Sequence, residues 1–180
     1  MPNWCSNSIT LRHKDPAMLD RVIKAQEGLL MEFVPTPQDL VNTVSGFVGE
    51  DQQAEHEAQM KHNIEKYGYK DWYDWNVNNW GTKWDISTTD WERFSDTCIR
   101  MNFDSAWAPP TALYEYLEQE GWTVNALYHE PGMGYAGKYC DGFDEYYEYS
   151  YNDREEVENL PQEILDFTGA LDDLENWEAE

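Results

Sequence analysis

Positive charge is what this 180-residue chain has least of: 12 Lys and Arg stand against 36 Asp and Glu, a formal net charge of −24. The deficit is uneven. Residues 1–90 hold 8 basic and 14 acidic side chains, and residues 91–180 hold 4 and 22, so the halves carry 8 − 14 = −6 and 4 − 22 = −18. Nucleic-acid binding needs Lys and Arg to neutralise phosphates, and anionic membranes select the same residues, so neither is an expected partner. Cysteine is scarce as well. Cys5, Cys98 and Cys140 are odd in number and fall at no short metal-binding spacing. Free thiols in a reducing cytoplasm are expected. No apolar run reaches membrane length, and Met-Pro-Asn-Trp-Cys does not read as a targeting sequence.

Motifs that carry chemistry are missing too. His13, His56, His62 and His129 form no HExxH pair, and His56 and His62, six apart, do not share a helical face. Cys5 and Cys98 fall in strand-like segments and read as packed thiols, while Ser6, Ser8 and Ser105 lie in no nucleophile-elbow turn. Gly132-Met133-Gly134 and Gly137 are not followed by Lys-Ser/Thr, so hairpin geometry explains them better than a phosphate loop. Carboxylates are too numerous for any one pair to be diagnostic. No catalytic residue, metal or cofactor is therefore expected.

Aromatic residues are plentiful: nine Trp, twelve Tyr and six Phe make up 15% of the chain, enough for a ring-built core. Residues 4–11 alternate into a first strand. Asp15-Pro16 starts a helix that Gly28 closes. Residues 29–34 (LLMEFV) read as a second strand, stopped by Pro35 and Pro37. Residues 38–92 break the rhythm with a helical, Trp-rich insertion containing a long helix at 50–67. Strand alternation returns at 97–103, where Ile99, Met101 and Phe103 share a face. Pro109-Pro110 then opens a helix that Gly121 closes, and a fourth strand follows at 122–128. A hairpin over 138–150 turns at Asp141-Gly142. The segment 151–180 is an acidic extension with a weak helical stripe, expected to fray beyond Gly169.

The order βαββαβ predicts an α+β, ferredoxin-like (split βαβ) antiparallel sheet with helices on one face, occupying residues 1–150. Its helical insertion falls between the second and third strands, and a C-terminal hairpin is added. Four blocks carry a resemblance: Pro2-Asn3-Trp4-Cys5-Ser6-Asn7, Asn79-Trp80-Gly81-Thr82-Lys83-Trp84, Phe103-Asp104-Ser105-Ala106-Trp107-Ala108-Pro109-Pro110 and Tyr128-His129-Glu130-Pro131-Gly132-Met133. In this order they resemble the YubB-like proteins, ferredoxin-like proteins of phages and conjugative plasmids. The resemblance spans about residues 2–150 and implies a mobile-element accessory role; it supplies no catalytic residues.

Charge and resemblance together predict a non-catalytic inhibitor of a host defence enzyme of restriction or CRISPR type, located in the host cytoplasm. It would fill a basic nucleic-acid channel. The expected contacts are Asp141, Asp144, Glu145, Glu148, Asp153, Glu155, Glu156 and Glu158. Duplex DNA carries a charge every ~1.7 Å, so 24 charges match roughly 40 Å of duplex, about the diameter of a compact chain of this length. A homodimer would extend that surface. The same acidity would also serve solubility or adaptation to high salt. A second reading is an adaptor or allosteric inhibitor that binds through Trp72, Trp75, Trp80, Tyr147 and Tyr149. A third is a small enzyme acting on a nucleotide signal, which the charge disfavours unless a metal intervenes.

Overall fold

The computed structural model describes residues 3–88 and 90–178. Its strands are β1 (Trp4–Arg12), β2 (Asp90–Ser95), β3 (Cys98–Ala106), β4 (Thr123–Glu130), β5 (Tyr135–Cys140) and β6 (Phe143–Glu148). They form one six-stranded sheet in the order β2-β3-β1-β4-β5-β6, antiparallel at every pairing. The protein is thus an α+β fold built on an open antiparallel sheet. Period-2 alternation sets the register. Ile9 and Leu11 face inward beside Met101 and Ile99 on one side and Ala126 and Val124 on the other, and all six are buried.

Helix α1 (Pro16–Lys24) starts as the sequence predicts: the Asp15 carboxylate accepts from the Ala17 amide at 3.0 Å, with Pro16 in the first turn. It ends at Lys24, and Gly28 caps the next helix instead of closing this one. That helix, α2 (Leu29–Phe33), corrects the expected second strand. Its buried Leu29, Leu30 and Phe33 fall at helical spacing, and the Asp85 carboxylate, 55 residues from Leu30, accepts from the amides of Leu30 and Met31 at 2.8 and 3.0 Å. A distant side chain thereby satisfies the start of a helix that local composition disguises.

The helical stretch comprises α3 (Gln38–Val41), α4 (Glu50–Tyr67) and α5 (Trp72–Trp80). It precedes β2, so it lies between α1 and the second strand, not between the second and third strands. β2 includes residues 90–92, which corrects the expected C-terminal end of the insertion. All its described side chains are at least partly exposed, so no alternation marks it in the sequence. Helix α6 (Thr111–Gln119) follows Pro110 and buries Leu113, Tyr114 and Leu117. With α1, α2 and α5 it covers one sheet face over a core that includes Leu19, Leu30, Trp75, Trp80 and Trp122. Each such side chain contributes about 1.5–3 kcal/mol by burial.

The hairpin turns where expected. Asp141 (φ 51°) and Gly142 (φ 77°) link the Cys140–Phe143 pair, the left-handed pair that suits the twist of the two strands. The second sheet face is also covered, which corrects the one-sided expectation. Helices α7 (Arg154–Glu158), α8 (Gln162–Thr168) and α9 (Ala170–Glu178) pack there through Val157, Ile164, Leu165, Ala170 and Leu174, against Ala136, Leu127 and Tyr149. Ala170 and Leu174 are fully buried, so α9 docks where fraying was expected.

Candidate protein-binding surface

The acidic candidates occupy one border of the molecule. Asp141 and Asp144, Glu145 and Glu148 lie on the turn and on edge strand β6; Asp153, Glu155, Glu156 and Glu158 lie at and in α7; all are exposed. On β6 they alternate. Asp144 and Glu148 stand opposite Tyr139 and Tyr135, and Glu145 stands opposite Lys138 on the other face. Several are held in place. Asp144 accepts from the Tyr128 hydroxyl at 2.6 Å. Asp153 caps α7 through the amides of Glu155 and Glu156. Glu156 accepts from the Ser150 amide at 3.0 Å, and Glu158 pairs with Arg154 at 2.9 Å. The border is therefore acidic on both flanks and anchored to the core through a phenol.

The aromatic candidates fare differently. Trp75 and Trp80 are only 8% and 3% exposed, packed edge to face at 5.9 Å, and the Trp80 indole donates to the Val34 carbonyl at 2.7 Å. Tyr149 is 5% exposed, its hydroxyl 2.5 Å from His129 Nε2. These three are core residues and cannot offer a ring face to a partner, which corrects the aromatic set. Trp72 and Tyr147 are half-buried.

Other rings are open to solvent, among them Trp4 at 49%, Trp84 at 38% and Trp107 at 38%. Trp4 and Trp84 lie 6.1 Å apart, and Tyr73 meets Trp107 edge to face at 6.2 Å. The Lys83 ammonium sits 4.6 Å from the Trp84 ring, 4.7 Å from Trp107 and 5.7 Å from Tyr73. Among the described residues it has no carboxylate partner.

Three of the four blocks that carry the resemblance meet at this site, Pro2 lying outside the described residues. The Trp107 amide donates to the Asn3 carbonyl at 3.0 Å, the Thr82 hydroxyl donates to the Ala106 carbonyl at 2.8 Å, and the Tyr135 hydroxyl donates to the Trp107 carbonyl. Gly81 (φ 87°) lies so close to α6 that a Cβ there would stand 2.9 Å from the Thr111 nitrogen. Trp107 itself holds a positive φ of 69°, an uncommon conformation for a bulky side chain. Clustering of unusual blocks was the available signal for this site.

Cys5, Ser105 and Glu130 are absorbed by structure. Burial pushes the Cys5 thiol up to about 12. Ser105 accepts from the Asn7 amide at 2.9 Å and donates to the Ala108 carbonyl at 2.8 Å. Buried Glu130 accepts from the amides of Gly132 and Met133 at 2.9 and 2.7 Å, so that loop turns these donors toward its own carboxylate. Among the described residues no three His, Cys, Asp or Glu side chains gather as for a metal ion, and no helix is long and apolar enough to cross a membrane.

No protein-family model and no curated protein matches the chain. Among solved structures it is similar to a protein api92 from Yersinia pseudotuberculosis, of the family model DUF1281, with 13% identity and a TM-score of 0.45 over 83% of this chain and 99% of that one.

Proposed function

We propose that this chain is a non-catalytic inhibitor that presents its acidic border to the basic nucleic-acid channel of a defence enzyme of restriction or CRISPR type. The observation that carries the reading is the edge strand β6 continued by α7: a ridge with carboxylates on both flanks, fixed by Tyr128, Ser150 and Arg154. A duplex likewise presents two rows of negative charge to the groove that holds it. The first strands support a ferredoxin-like core in residues 1–150, since β4-β1-β3-β2 is the neighbour order of a split βαβ sheet. The YubB-like blocks support a phage or plasmid accessory role in the host cytoplasm, and residues 151–180 act as the acidic extension.

Capture from host lysate at low and near ~1 M salt tests the reading. A nucleic-acid-processing enzyme released by salt and by competing duplex is the expected result. A salt-resistant partner without a DNA groove would replace it with an adaptor or allosteric inhibitor acting through exposed rings. Turnover of a nucleotide signal by the purified chain would overturn both.

A further inference from the structure

We propose that the exposed rings of Trp4, Trp84 and Trp107, the last two flanking the Lys83 ammonium, form a docking site for arginine side chains of a basic protein partner. The proposal deepens the acidic-border reading by naming where such a partner is anchored.

The cluster already holds a cation. In a chain with three acids for each base, Lys83 faces the rings of Tyr73, Trp84 and Trp107 and, among the described residues, pairs with no carboxylate. The ring faces offer the negative quadrupole that cations seek. Part of each Trp surface remains open. Guanidinium groups stack on aromatic planes better than ammonium groups do and shed water more readily, so arginine is favoured over lysine. The net charge of −24 concentrates cationic segments around the molecule, and the rings sort them.

The backbone argues the same way. Trp107 keeps a left-handed φ of 69°, held by the Asn3 carbonyl at its amide and the Tyr135 phenol at its carbonyl. A ring needed only for packing gains nothing from that conformation, whereas a ring held out for a partner is worth its strain. Glycine adopts the same φ without strain, which separates the two explanations.

The test titrates nona-arginine and nona-lysine peptides into the full chain, followed by tryptophan fluorescence. Arginine should bind about three- to thirty-fold more tightly than lysine, the range of a cation–π contact. Trp84→Ala and Trp107→Gly should abolish that preference, with Trp107→Gly leaving the melting temperature unchanged or raised. Lys83→Met, which removes the internal competitor, should increase the preference. A combined Glu155→Gln, Glu156→Gln, Glu158→Gln variant should weaken both peptides alike and keep the ratio. An unchanged ratio in the ring variants overturns the proposal, as does tighter binding of oligothymidine than of nona-arginine. Should Trp107→Gly fail to fold, the exposed Trp4→Ala decides on the same ratio. Arginine preference without capture of a nucleic-acid enzyme would sink the inhibitor reading and leave the ring site standing; capture without preference would do the reverse.

Discussion

The two faces of the sheet are covered by different kinds of layer. One face lies under α1, α2, α5 and α6, whose Trp75, Trp80, Tyr114 and Leu117 form a large ring-rich core with Ile9, Leu11 and Ile99. The other is covered only by α7, α8 and α9, through a small, largely aliphatic cluster of Val157, Ile164, Leu165 and Leu174. Beyond these helices the same face leaves Ser6, Asn102 and Asp104 exposed. A layer held by a few aliphatic side chains can give the rest of its surface to charge, and much of the acidity of residues 91–180 resides there. The ring-rich layer, by contrast, has little room for variation.

Substitutions should disturb the two layers to different extents. Trp80→Ala should have the largest effect, destabilising the protein by about 3–5 kcal/mol in urea unfolding, because it opens a cavity beside Trp75 and leaves the Val34 carbonyl without its indole donor. Ile164→Ala, in the thinner layer, should cost about 2 kcal/mol and raise amide exchange selectively in β4 and β5. Smaller still is a pH effect. Burial pushes His129 below its usual range, against weaker opposing pulls from Asp173 and Glu130. The unfolded chain then binds the extra proton, so this contribution is present above an unfolded pKa of about 6.5 and is lost as pH falls toward the folded value. His129→Gln should flatten that slope relative to the parent when melting is followed on acidification. Ile64→Ala should change stability by less than about 0.5 kcal/mol, since Ile64 is exposed on α4.

What was legible in the sequence followed the strength of local pattern. β1, β3 and β4 alternate cleanly because each has one face against the larger core, and α1 and α6 carry their start signals in Asp15-Pro16 and Pro109-Pro110. Leu29–Phe33 has strand-like composition, and the carboxylate that satisfies the amides at the start of its helix comes from the remote Asp85. β2 buries none of its described side chains and so leaves no periodic trace. In the candidate surface the acids were easy to place, because carboxylates are seldom buried. The rings were not: Trp75, Trp80 and Trp84 look alike in sequence, and the packing of α5 against α6 decides which of them meets solvent.

One small residue couples the acidic border to the interior. Gly137 on β5 has no side chain, and the Tyr128 phenol passes through the space where a Cβ would stand to reach Asp144 on the next strand. Positions 128, 137 and 144 are therefore physically coupled. A methyl group at 137 would evict the phenol, and the change would surface on the neighbouring strand as a displaced carboxylate. Lineages that alter the acid at 144 are free to alter 128 and 137 as well, whereas those that keep it should hold all three, so relatives of this chain should vary at these positions together or not at all.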